Sequence, residues 1–143
     1  MIVSEVFENT IYPKLKEYVE KTSIYKPKVT KKKPQESKTI PIVPVSLIYD
    51  RNTYNNLSYG EETYTFGINI DVYTCDVDDV SKRTICNEIT NVIVDYLKEN
   101  YRLTIKITLD APNTDSNIHR NNLRITGKLD TKYGLDKLVI YPV

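Results

Sequence analysis

Apolar residues follow two different periods along this chain, and each period marks out its own segments. Ile2, Val3, Val6, Phe7, Ile11, Leu15, Tyr18 and Val19 recur at helical spacing and predict a helical segment over residues 1–23, in which Pro13 can start or kink a helix but fits poorly in its interior. Ile42-Val-Pro-Val-Ser-Leu-Ile-Tyr49 reads as a strand whose Pro44 points to an edge or a bulge. Asn52, Asn55, Asn56, Ser58 and Gly60 then predict a turn. The period of two is clearest next: Tyr64, Phe66, Ile68, Ile70 and Val72 alternate with Thr63, Thr65, Asn69 and Asp71, which gives a strand with one buried and one wet face. Ile85, Ile89, Val92, Ile93, Tyr96 and Leu97, flanked by Cys86, form one apolar stripe of a second helix, with Asp76, Asp78 and Asp79 placed ahead of it as caps. Three alternating stretches follow, at Leu103 to Leu109, Leu123 to Leu129, and Leu138 with Ile140. The economical arrangement is an α+β domain spanning residues 1–143, with an antiparallel or mixed sheet of about four or five strands, two helices packed on one face, and an extended lysine-rich arm.

Composition supports strands over a helical bundle. Of 143 residues, 16 are Ile, 13 Val and 15 Thr, all β-branched, with 12 Tyr and a single alanine, Ala111. No apolar run is long enough for a membrane helix. Met1 to Glu8 contains Glu5 and lacks a basic start and an apolar centre, so the expectation is a chain without a cleaved secretion signal, folding in a reducing cytoplasm.

The chemistry-bearing residues are sparse. Four scattered glycines (Gly60, Gly67, Gly127 and Gly134) form no phosphate-cradling loop. Cys75 and Cys86 have neither metal-site spacing nor a histidine partner and read as buried free thiols. His119, beside Arg120 in a polar stretch, reads as a surface residue. Asp76 to Asn87 departs from a calcium loop at the fifth, sixth and twelfth positions. The crowd of Asn113, Asp115, Asn117, Asn121 and Asn122 reads as a turn. The expectations are therefore no enzymatic activity, no catalytic residue, no cofactor and no metal.

Charge changes the picture at one place. Lys26, Lys28, Lys31, Lys32, Lys33 and Lys38 against Glu36 leave residues 26–38 at +5, with Pro27 and Pro34 among them, and the remainder of the chain at −4. We expect a loop or hairpin arm outside the core, mobile in the free subunit because ordering thirteen residues costs on the order of 1 to 2 kcal/mol each and Val29 is its chief apolar side chain. The arm lacks an aromatic ring for base stacking, which argues against nucleic acid. Its complement lies in the same chain: Glu61, Glu62, Asp71, Asp76, Asp78 and Asp79 fall within residues 61–81, where there is no Lys or Arg. The candidate subunit interface is therefore Lys26, Lys28, Lys31, Lys32, Lys33 and Lys38 of one copy against Glu61, Glu62, Asp76, Asp78 and Asp79 of the next, a heterologous contact that can close into a ring.

The helical start, the lysine arm, the strands Ile42 to Leu47 and Tyr64 to Tyr73, the helix through Ile89 to Leu97 and the close Leu138-Val-Ile-Tyr-Pro142 together resemble small tail-terminator and tail-completion proteins of long-tailed bacteriophages, or of prophage-derived tail particles. The resemblance covers essentially the whole chain and rests on element order and composition, with no motif residue carried over. It implies a structural subunit forming a hexameric ring that caps the head-proximal end of the tail tube, stops its polymerisation and joins it to the neck. Members contact neighbouring subunits through sheet edges and extended arms. The implied partners are further copies of the chain, the tail tube protein, a neck or head-completion protein and a sheath protein; membrane is not among them, and DNA is met only as it passes through the ring. The implied location is the virion tail or neck, assembled in the host bacterial cytoplasm. A neck or head-tail joining protein on the portal side, or a nucleic-acid-binding module, are the alternatives.

Overall fold

In the computed structural model, residues 2–31, 40–56, 61–130 and 139–142 are described. The N-terminal segment is α-helical over Ile2–Val6 (α1), π-helical over Phe7–Ile11 and α-helical again over Tyr12–Thr22 (α2). The π turn has a local cause. Pro13 has no N–H to give the carbonyl four residues back, and its ring would press on that carbonyl; widening the preceding turn, with the Tyr12 N–H donating to Phe7 O, lets the helix pass the proline. Phe7, Ile11, Leu15 and Val19 are buried along its inner side.

The sheet is mixed. Its strands are β1 (Lys28–Thr30), β2 (Ile42–Asn56), β3 (Glu61–Thr74), β4 (Thr104–Thr108), β5 (His119–Asp130) and β6 (Val139–Pro142), and α3 spans Lys82–Asn100 between β3 and β4. The order across the sheet is β1-β2-β3-β5, with β4 and β6 end to end along the far side of β5, opposite residues 122–126 and 127–130 respectively. Among the described strands, only the β1–β2 pair is parallel.

The alternation in β3 behaves as its sequence predicts. Phe66, Ile68, Ile70 and Val72 are buried, and together with Leu123 and Ile125 of β5 they form the sheet's contribution to a core shared with both helical segments. From α3 come Ile85, Cys86, Ile89, Ile93, Val94, Tyr96 and Leu97; each large apolar side chain among them contributes about 1.5 to 3 kcal/mol of transfer free energy. The helical segments meet where Tyr18 stacks on Tyr96 at 4.8 Å and where the buried Ser23 hydroxyl donates to Glu88 at 2.8 Å. The expected α+β arrangement, with helices on one sheet face, is what the chain adopts.

Three expectations need correction. The arm does not begin as a loop outside the core: Lys28–Thr30 docks as β1 on β2, and Val29 is fully enclosed. One valine suffices there because the ladder to Ile42–Pro44 and the ceiling of α2 satisfy the strand on two sides. Of the polar stretch expected as a turn, Asn52–Asn56 form the outer half of β2, held antiparallel to β3 through Asn56–Glu61, with register shifts between Leu47 and Tyr49 and between Asn52 and Tyr54, while Ser58 and Gly60 lie outside the described residues. Pairing supplies what side-chain propensity does not. The cap of α3 is Ser81, whose hydroxyl accepts the Thr84 N–H at 3.3 Å; of the three aspartates only Asp76 satisfies a helix amide, that of Lys82 at 2.7 Å. Asp78 instead takes a left-handed conformation (φ 50°) in the tight turn bridged by Val77 and Val80.

Candidate functional site

The predicted charge complement does not gather into one patch. Glu61 and Glu62 begin β3, whereas Asp76, Asp78 and Asp79 follow its end, about 45 Å away at the rise of an extended strand. Asp76, Asp78 and Asp79 are exposed around a shallow hollow at the end of the sheet where β1 and β2 start. Lys26 and Lys28 are exposed near that same end, Lys26 in a left-handed conformation (φ 47°) with its Nζ donating to Lys21 O at 2.8 Å. Lys31 is tied within its own chain to Glu8 and lies 5.3 Å from the centre of the Tyr12 ring. Lys32, Lys33 and Lys38 lie outside the described residues.

Asp71 is committed to a different role. On the open face of the sheet its carboxylate accepts from Arg120 Nε at 2.9 Å and Nη2 at 2.8 Å, from Asn122 at 2.8 Å and from Asn69 at 3.0 Å. Arg120 also donates to Pro112 O and lies over the Tyr73 ring, so this face carries a fixed lattice of polar groups across β3 and β5.

The opposite face holds a buried polar cluster that sequence reasoning missed. His119 is not a surface residue: it is 5% exposed, and Asn121 is fully buried. Asn121 Oδ1 accepts the Asp110 N–H at 3.1 Å and faces His119 Nε2 at 3.2 Å, while its Nδ2 donates to Asn87 Oδ1 and Thr90 Oγ1, both at 3.0 Å. The Thr90 hydroxyl donates in turn to Cys86 O at 2.8 Å. His119 and Asn121 share the period of two with Leu123 and Ile125, and that shared parity is the signal that places them on the core side.

This cluster backs onto a pocket of about 570 Å³ where the end of β3, the start of α3 and the 109–118 loop converge. Asp76, Lys82, Arg83, Asp110, Ser116 and His119 line it. Charges of both signs face each other across it: Arg83 lies 3.7 Å from Asp110, and Lys82 Nζ donates to Ser116 O at 2.8 Å. Behind it, burial pushes the Cys86 thiol up to about 11, and its Sγ donates to Val72 O at 3.3 Å. Cys75 is raised as well, by burial first and then by the Asp115 charge. Both thiols are thus kept in the protonated, unreactive form at neutral pH. Among the described residues no group of three or more His, Cys, Asp or Glu side chains is placed to hold a metal ion, and no helix is long and apolar enough to cross a membrane.

The sheet's margins are the other feature of note. β1 covers β2 only along Ile42–Pro44, and beyond Pro44 no strand among the described residues pairs with the outer edge of β2. On the other side, among the described residues, β4 pairs only with β5. Exposed apolar side chains accompany both margins: Ile24 just before β1 and Ile48 on β2, then Ile107 on β4 and Leu109 just after it.

In comparisons with known proteins, no protein-family model matches the chain and no curated protein matches it.

Proposed function

We propose that this chain is a virion-assembly subunit that closes into a homo-oligomeric ring of six copies on the head-proximal end of a phage tail tube, ends tube growth and offers a surface to the neck. The observation that supports this reading is a pair of sheet margins on opposite sides of one subunit that no strand among the described residues covers, each with exposed apolar side chains. An unpaired strand edge is a template for another chain. Joining the β1–β2 margin of one copy to the β4 margin of the next uses two different surfaces, so the contact repeats head to tail and closes when the rotation per step divides a full turn. Lys26 and Lys28 stand exposed beside the first margin and add a salt-sensitive attraction to acidic groups of the neighbour. The resemblance in element order to tail-terminator and tail-completion proteins supplies the number of copies and the tube as template.

Native mass spectrometry of the purified protein, and electron microscopy of tail tubes incubated with it, test the reading. The expected result is a six-copy species free in solution or rings seated at one tube end, with both lost on combining Ile107→Lys and Leu109→Lys while circular dichroism of the subunit is unchanged. A chain that stays monomeric alone and leaves tube ends bare refutes it. Rings that seat on a portal rather than on a tube end refute the placement in favour of a head-tail joining protein.

A further inference from the structure

His119 has one hydrogen-bonded neighbour, Asn121, and one carboxylate at ion-pair distance, Asp110, and together they bear on what its ring carries. Thr90 Oγ1 gives its proton to Cys86 O and can only accept from Asn121, so the atom of Asn121 facing Thr90 is the amide nitrogen. The atom facing the Asp110 N–H is accordingly the oxygen, which also faces His119 Nε2 at 3.2 Å. On the other side of the ring, Nδ1 lies 3.4 Å from Asp110 Oδ1, a carboxylate acceptor. Both ring nitrogens therefore face acceptors. The neutral ring has one N–H, and either tautomer satisfies one side while setting lone pair against lone pair on the other. Only the doubly protonated ring satisfies both.

From this geometry we propose that His119 and Asp110 form a proton-operated latch on the 109–118 loop, tightening as pH falls and loosening as it rises. Asp110 is the hinge point: it follows β4 directly, holds a left-handed conformation (φ 53°), and anchors the loop through its own N–H to Asn121, next to the Ala111 N–H donated to Arg120 O at 2.7 Å. With a proton on each nitrogen, the ring bridges Asn121 to the Asp110 carboxylate and the loop is clamped against the end of α3. With one proton, the ring keeps Asn121, and the bare Nδ1 repels the carboxylate, which turns toward Arg83 and solvent. The other ionisable groups around the pocket come from every neighbouring element: Lys82, Arg83 and Cys86 from α3, Cys75 and Asp76 from the end of β3, Asp115 from the loop, and Arg120 from β5. Both thiols are uncharged through the histidine range, Arg120 is held by Asp71 on the opposite sheet face, and Lys82 is held by Ser116. Histidine is the side-chain type among them that exchanges a proton near neutral pH. The loop forms the pocket wall and ends β4, so the latch couples proton concentration to pocket closure and to the order of that sheet margin.

Amide hydrogen exchange on the intact protein, corrected for the intrinsic pH dependence, tests the latch. Protection at Asp110, Ala111 and the 109–118 loop is expected to rise about two- to fivefold between pH 8 and pH 5, the range for a pair whose acid is solvent-exposed, while α3 is unaffected. Asp110→Asn, at an exposed side chain, keeps the fold and supplies a neutral amide that donates to a bare Nδ1; it should protect the loop at pH 8 and abolish the rise toward pH 5. Loop protection in the unaltered protein that does not change with pH, or a rise that persists in Asp110→Asn, overturns the proposal.

Discussion

Asn121 and Asn122 are adjacent in β5 and point to opposite faces of the sheet, which makes them a controlled test of what burial adds to a hydrogen bond. Asn122 lies half-buried on the open face and donates to Asn69 and Asp71. Asn121 is fully enclosed and has four polar neighbours, Asp110 N–H, His119, Asn87 and Thr90. Asn122→Ala removes bonds that water can replace and should cost about 0.5 to 1.5 kcal/mol. In Asn121→Ala the Thr90 hydroxyl keeps its bond to Cys86 O and the partly exposed Asn87 finds water, but the Asp110 N–H and the inner nitrogen of His119 lose their acceptor. At about 1 to 3 kcal/mol for each buried group left unpaired, the loss is about 2 to 6 kcal/mol. Urea unfolding of both variants, followed by circular dichroism, measures the gap. We expect Asn121→Ala to lose more by about 0.5 to 5.5 kcal/mol, with equal slopes in denaturant. Equal losses for the two variants would refute the account, because enclosure would then add nothing to the cost of the lost bonds.

Gly127→Ala should destabilise by about 1 to 3 kcal/mol, since a β-carbon there would sit 2.5 Å from the Leu103 side chain and 2.9 Å from the Phe66 ring; the unfolding midpoint reads this, and an unchanged midpoint would show that Leu103 swings clear. Cys86 has its thiol pushed from 9.0 to about 11 by burial, so its share of stability is complete below pH 9 and is lost as pH climbs toward 11; Cys86→Ala, measured from pH 8 to pH 11, should show a shallower decline than the unaltered protein. For the same reason iodoacetamide at pH 8 should leave native Cys86 unmodified and alkylate it only once the chain unfolds, as peptide mass spectrometry would report. Glu8→Gln should leave stability within about 1 kcal/mol of the original, because its partner Lys31 and Glu8 itself are both solvent-exposed; a larger loss in a thermal melt would mean that the pair fixes α1 to the sheet.

The elements that could be read from sequence are those whose pattern is complete within one segment. The alternation from Tyr64 to Val72 and the stripe from Ile85 to Leu97 each specify a buried face without reference to the rest of the chain; Phe66 to Val72 and Ile85 to Leu97 lie where they were expected, and the Tyr64 side chain is outside what is described. β1 could not be read this way, because three residues with one apolar side chain among lysines become a strand only through the ladder to Ile42–Pro44. The outer half of β2 has the same character: asparagines that favour turns are held extended by β3. His119 looked exposed because its chain neighbours are polar. Its burial depends on which parity of β5 faces α3, a fact visible only when Leu123 and Ile125 are counted backwards through the asparagines. The acidic run is spread out for a geometric reason, since the extended strand β3 separates Glu61 and Glu62 in space from Asp76, Asp78 and Asp79.

The π turn ahead of Pro13 also resolves an angular problem in the N-terminal helix. Phe7, Ile11, Leu15 and Val19 are spaced by four, and at about 100° per residue each such step overshoots a full turn by about 40°, so three steps would carry Val19 about 120° around the cylinder from Phe7. A turn holding one extra residue takes back nearly all of that angle, and the four side chains fall on one line toward the sheet. Deleting a single residue between Phe7 and Ile11 would therefore regularise the helix and keep Leu15 and Val19 within about 20° of Phe7, whereas an inserted residue would turn both by about 100° unless a second turn widened to absorb it. The widened turn thus stores one residue more than a regular helix of the same phase would hold, just ahead of the proline.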